Sequence, residues 1–227
     1  METSERAYEK IINYVERQIM QGSYKKGDKL PPERELAALL SASRNSVREG
    51  LGILERMGVI SSQQGAGNFI SDNFEKTLIE VMTLMFILEE GTFREISEFR
   101  YALEMQALSL AMKNITEEQQ TNIEYYMSML EQTPGEEQKA YYDKKIHYTI
   151  TAASGNRFII DNLQALTEVM DVFIKDMRAK ILSDGSNSEG LMSAHRQMVE
   201  ALREKDESKG LKALKAHFEY IYAYIDG

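Results

Sequence analysis

A chain of 227 residues with 43% apolar content can form one large domain or two ordinary ones, and its complete lack of cysteine excludes disulfides and thiolate metal sites. That lack is what a reducing compartment permits, so the expected location is the cytoplasm. The net charge of −9 excludes a whole-chain preference for nucleic acid, but residues 1–72 hold ten Lys/Arg against ten Asp/Glu, leaving 17 against 26 for residues 73–227. Halves of such different electrostatics suggest different partners. The charged start METSERAYEK is not an apolar leader, and the longest apolar run, VMTLMFIL at 81–88, is too short for a bilayer, so no membrane partner is expected.

Residues 4–21 place Ala7, Ile11, Tyr14, Val15 and Ile19 at helical spacing up to Gly22, which predicts a first helix. LPPERELAALL predicts a second, started by proline, with Leu36, Leu39 and Leu40 inward. Ser43 suits an N-cap for a third, RNSVREGLGILERMG, with Val47, Leu51 and Leu54 on one face. The pieces VISS and NFI then flank GAG, whose glycines allow the positive φ angles of a tight hairpin turn. Three helices and a two-stranded ribbon make a winged helix-turn-helix. After a polar linker at 71–76 the pattern is helical, near 75–89, 93–113, 117–132, 136–154, 157–182, 188–204 and 207–225. The fold class is therefore mainly α, with a winged helix-turn-helix at 1–72 and an all-helical bundle at 73–227.

A helix that reads DNA presents short polar and cationic side chains from its first turns, while its other face packs on the domain. Residues 44–54 meet both demands, with Arg44 and Arg48 one turn apart beside Asn45 and Ser46. Arg34, at the start of the preceding helix, can reach a phosphate. The competing reading is a solvated surface helix in a winged domain that binds protein.

LPPERELAALLSASRNSVREGLGILERMGVISSQQGAGNFI closely resembles the DNA-binding module of the bacterial GntR family of transcription regulators, over roughly residues 8–71. The resemblance implies that Arg34, Arg44 and Arg48 hold DNA, that Ser43, Asn45 and Ser46 make neighbouring polar contacts, and that Gly65 enters the minor groove at the wing tip. Gln64 departs from the family, where His or Arg is common. It still donates a hydrogen bond, with less positive charge on the wing.

In the second half, YYDKKIHYTI puts Asp143 and His147 four apart against an apolar stripe of Tyr142, Ile146, Ile150 and Ala153. His195 lies in the stripe Leu191, Met198, Val199 and Leu202, and His217 among Leu214, Phe218, Ile221 and Tyr224. All the chain's histidines thus turn toward the bundle interior, where an unsatisfied polar group costs about 1–3 kcal/mol. Two readings stand. Either each finds its own carbonyl or tyrosine hydroxyl, or Asp143, His147, His195 and His217 share one divalent cation, zinc or nickel above others, with positions left for a ligand.

Residues 74–225 resemble the FadR-type effector domain of the same family, called FCD, whose metal-binding members carry Asp-x-x-x-His on one helix and two later histidines. These four residues fall on that pattern. EFRYALEMQALSLA looks like the family's Arg-x-x-x-Glu stretch. Arg100 points inward, where its anion is either a ligand carboxylate or Glu104 one turn on. Asn156 either lines the ligand pocket or caps the helix that starts there.

The expectation is a regulator, repressor or activator, that binds an inverted-repeat duplex operator as a homodimer and responds to a small organic acid held at the metal and Arg100. Alternatives are a structural metal, an acyl-type ligand as in metal-free relatives, and a metal-dependent enzyme. Against the enzyme, the chain has no HExxH, no phosphate-cradling glycine loop and no nucleophile motif.

Overall fold

A computed structural model describes residues 6–72, 74–183 and 188–226, the side chains of 136, 172–188 and 226 excepted. The chain divides into two compact units, Met1–Glu80 and Val81–Gly227. The first contains α1 (Ala7–Met20), α2 (Glu33–Leu39), α3 (Arg44–Arg56), β1 (Ile60–Gln63) and β2 (Gly67–Ile70). Residues 4 and 5 of the expected first helix lie outside the described residues. Arg6 is the N-cap of α1, its backbone N–H donating to Glu9 Oε2 at 2.7 Å.

The second helix differs from expectation at its start: Pro32 is the N-cap and the helix begins at Glu33. Each proline disfavours helical geometry in the residue before it, so Leu30 and Pro31 are driven toward extended backbone. Leu30 is put to use there, donating its N–H to the Asn68 carbonyl at 2.8 Å, while Lys29 bridges Phe69. The loop after α1 thus adds a short third rung to the hairpin, pinning the wing to the helices. The hairpin itself is antiparallel, pairing Ile60 with Ile70 and Gln63 with Gly67, and Gly65 takes φ 77° in its turn. Ile11, Val15, Leu30, Leu36, Val47, Leu51, Leu54, Ile60 and Ile70 form the core.

From Glu75 onward every described element is helical: α4 (Glu75–Leu88), α5 (Phe93–Asn114), α6 (Glu117–Gln132), α7 (Glu136–Ala153), α8 (Arg157–Ser183), α9 (Ser188–Glu204) and α10 (Glu207–Asp226). α4 starts inside the stretch expected as linker. Capping boxes fix two of the starts, Thr92 with Glu95 on α5 and Thr116 with Gln119 on α6. One core joins α5, α6, α7, α9 and α10 through residues such as Leu108, Ile123, Ile146, Met198 and Phe218. A smaller one joins α5 and α8, with Met82 and Phe86 of α4 packed against it. α4 has no fully buried residue, and Val81, Leu84, Met85, Ile87 and Leu88 are exposed. Among the described residues no helix is long and apolar enough to cross a membrane.

Gly50 on α3 is where the reading helix meets α1: a Cβ there would lie 2.8 Å from Ile11 Cβ and 2.9 Å from the Tyr8 carbonyl oxygen. Backbone cannot yield as a side-chain tip does. Gly50→Ala is expected to destabilise the first unit by about 1–3 kcal/mol, outweighing alanine's better helix propensity. Urea unfolding followed by circular dichroism measures this, and equal or greater stability of the variant refutes the tight contact.

Candidate nucleic-acid interface and metal centre

The reading helix α3 is set by its cap and its buried face. Ser43 Oγ accepts the Ser46 N–H at 3.1 Å and lies 2.9 Å from Ser46 Oγ, while Val47, Gly50, Leu51 and Leu54 are buried. Arg44, Asn45 and Arg48 are thereby turned to solvent, and Ser46 is half-buried. Arg34 is exposed in the first turn of α2, and Gln64 and Gly65 are exposed at the wing tip. A partner that the sequence reading missed is Glu33, whose Oε2 accepts from Arg48 Nε at 2.7 Å. With Arg48 66% exposed, the pair holds the guanidinium in place for less than about 1 kcal/mol, an interaction readily exchanged for a phosphate or base edge. Lys29, in the loop that pairs with the wing and 5.8 Å from the Phe69 ring centroid, is a cation beside the wing that no motif signalled.

In the second unit, α7 supplies Asp143 and His147, α9 supplies His195 and α10 supplies His217, all buried. Each offers one ligand atom, and the four atoms lie within 4.8 Å of one another. The outward-facing ring nitrogens determine what the inward ones are. His195 Nδ1 lies 2.9 Å from the Leu191 carbonyl oxygen, which only accepts, so the hydrogen is on Nδ1. His147 Nδ1 lies 2.8 Å from Glu104 Oε2. Burial raises the Glu104 carboxyl, but Arg100 and His147 outweigh burial and bring it down to about 2, so this oxygen too is an acceptor.

The Nε2 atoms of the two rings confront each other at 3.2 Å, and in the neutral form that binds a metal each carries a lone pair there. Asp143 Oδ1 stands 2.9 Å from His195 Nε2 and 3.8 Å from His147 Nε2. Burial above all, with the neighbouring His195 and His147 adding to it, holds His217 well below its usual value and so neutral, and among the described residues its Nδ1 has no hydrogen-bond partner. Lone pairs gathered in this way repel one another unless a cation lies between them. Tetrahedral zinc, with ligands at about 2.0–2.1 Å, separates its donor atoms by about 3.4 Å, within the spread seen here. The donor set therefore fits a divalent ion held by three imidazoles and one carboxylate.

Arg100, on α5, resolves one alternative of the sequence reading: its Nε donates to Glu104 Oε1, one turn on, and the guanidinium carbon sits 5.6 Å from the Phe218 ring centroid. Burial opposes the Arg100 charge, and Glu104 and Asp143 more than restore it. Beside this pair lies a cavity lined by Arg100, Glu104, Lys144, Tyr148, Thr151 and Thr167 among others, with about 10 Å³ of free space, room for one water. Asn156 does not line it. Its side-chain oxygen instead accepts from Phe158 N and Ile159 N at 3.1 and 3.2 Å, and the exposed residue caps α8.

Comparison with known proteins adds two family matches: "Bacterial regulatory proteins, gntR family" over residues 7–70 and "FCD domain" over residues 95–220. An Escherichia coli (strain K12) protein named for regulating the L-lactate dehydrogenase operon is 26% identical, covering 96% of this chain and 85% of that protein. The HTH-type transcriptional regulator LutR of Bacillus subtilis (strain 168) is 24% identical over 92% of this chain and 96% of its own. Two solved structures share the fold: Streptococcus agalactiae GntR (TM-score 0.64, 21% identity, 94% of this chain and 98% of that one) and E. coli McbR/YncC (TM-score 0.51, 19% identity, 97% and 98%). The chain belongs to the GntR family of bacterial regulatory proteins, in the branch that carries an FCD domain, and is a DNA-binding transcription regulator rather than an enzyme.

Proposed function

We propose that this regulator works in the cytoplasm as a homodimer, reads an inverted-repeat operator through residues 1–72, and has its operator affinity set by a small organic acid. The acid is held in residues 73–227 at a divalent metal, zinc or nickel, bound by Asp143, His147, His195 and His217. What carries the metal is the pair of Nε2 atoms 3.2 Å apart with a carboxylate oxygen 2.9 Å from one of them. When bound, the ion supplies a Lewis-acidic position for a carboxylate. The chain's own residues shape that position: Arg100, Lys144, Tyr148, Thr151 and Thr167 line the neighbouring cavity, Lys144 also meeting Asp171 and Thr167 giving its hydroxyl hydrogen to the Leu163 carbonyl. The relative named for the L-lactate dehydrogenase operon makes lactate the first acid to try. The exposed apolar residues of α4 support contact with a second copy, since such a patch is usually covered.

A purely structural ion is the second reading, favoured by the smallness of that cavity, about 10 Å³. Lactate, sugar acids and dicarboxylates separate the two. An acid that raises the melting temperature of metal-loaded protein and changes its operator affinity supports the sensor, and a metal-loaded protein indifferent to all of them supports the structural ion.

Purified protein offered zinc or nickel is expected to hold about one equivalent per chain by elemental analysis. His147→Ala or His195→Ala is expected to remove most of it while the far-ultraviolet helical signal persists. Wild-type protein that holds none sinks the metal reading.

On an operator selected from random duplex, Arg44→Ala and Arg48→Ala are each expected to cost about 1–3 kcal/mol of binding. Arg34→Ala is expected to weaken specific and random duplex alike and to reduce the salt slope by about one. Fluorescence anisotropy across a salt series measures both, and three variants indistinguishable from wild type would remove these residues from the interface.

Sedimentation at micromolar concentration is expected to give a dimer. A strict monomer that still binds a palindrome tightly contradicts the symmetric arrangement.

A further inference from the structure

We propose that Glu104 is the positioning residue of the metal centre: clamped by Arg100, its carboxylate accepts the Nδ1 hydrogen of His147 and so aims that ring's Nε2 at Asp143, His195 and His217. The proposal rests on reading those four residues as a metal centre. Glu104 lies on α5, buried, and its two oxygens are divided, Oε1 to Arg100 and Oε2 to His147 Nδ1 at 2.8 Å. A neutral imidazole carries one hydrogen and one lone pair, and an ionised carboxylate only accepts. The Glu104 contact therefore fixes at once which nitrogen is protonated and which way the ring faces.

The two Nε2 donors are aimed by different means. His195 is held by the carbonyl of Leu191, one turn back on its own helix, so its orientation is a local property of α9. His147 is held across a helix interface by a residue 43 positions earlier in the chain. Its aim therefore depends on α5 and α7 staying in register, and on the charge that keeps a carboxylate ionised in the core. That charge is Arg100, whose guanidinium leans on Phe218, the residue after the ligand His217. Arg100 is thus part of the support of the centre, and its loss is expected to weaken metal as well as acid binding. A residue that only received the acid would leave the metal untouched.

The test uses the full chain, isotopically labelled at histidine and stripped of metal. Ring nitrogen NMR at a pH of about 8, above the usual histidine range, reads the tautomer of His147. Competition with a chromophoric chelator reads zinc affinity. Wild type is expected to show the Nδ1–H form. Glu104→Ala is expected to lose it in favour of a mixture or the Nε2–H form, with zinc affinity falling 10- to 100-fold. Glu104→Gln, of the same shape and with an amide oxygen still able to accept, is expected to fall between, and it carries both readouts if the alanine variant does not fold. Arg100→Ala is expected to lower zinc affinity in the same direction. The proposal is overturned if His147 keeps the Nδ1–H form in Glu104→Ala, or if zinc affinity stays within about twofold of wild type. Should wild type take up no zinc, the metal reading fails, and the tautomer alone decides the role of Glu104.

Discussion

Burying polar groups in a helical bundle obliges the fold to answer for hydrogens and lone pairs, and the second unit of this chain does so for the outer ring nitrogens of two of its buried histidines. Arg100 answers Glu104, Glu104 answers His147, and the Leu191 carbonyl answers His195. The last two links take up the outer nitrogen of a ring and leave the inner one facing Asp143 and His217. Burial that would be a defect in a hydrophobic core becomes, at that single point, a demand for positive charge. The surrounding apolar side chains, Ile146, Met198 and Phe218 among them, keep water from meeting that demand piecemeal.

The first unit rests on a different economy. Its reading helix is held from behind, by a small apolar core and by the approach of α3 to α1 at Gly50, so the cationic face needs no buried partner. An ion pair on that face, Arg48 with Glu33, is exposed and weak enough to exchange. The two units therefore treat charge in opposite ways, lightly held at a surface in one and fully committed in a core in the other.

The sequence exposes whatever depends on periodicity. Helix ends fall close to the pattern, and the residues Asp143, His147, His195 and His217, picked from their apolar stripes, converge in space. The cap at Ser43 was readable because a serine before an apolar-periodic run has few other uses. Contacts between elements distant in the chain left no such trace. Nothing in the spacing of Glu104 and His147, or of Glu33 and Arg48, marks them as partners, because those distances depend on how helices pack. The role of the Leu191 carbonyl is invisible for another reason, since every residue has one. Pro32 misled by a single step, reading as the first residue of a helix that it instead precedes. For Arg100, two anions were equally compatible with an inward guanidinium, and only the folded chain brings Glu104 to it.

The ligand set spans from Asp143 to His217, so an ion held there would tie together three helices across 74 positions of chain. A protein with no cysteine has no covalent means of closing such a loop. The ion would act as a removable staple, drawing its strength from the free metal concentration through mass action and indifferent to the redox state that would decide a disulfide. The rigidity of α7, α9 and α10 as a group would then vary with the cell's metal supply.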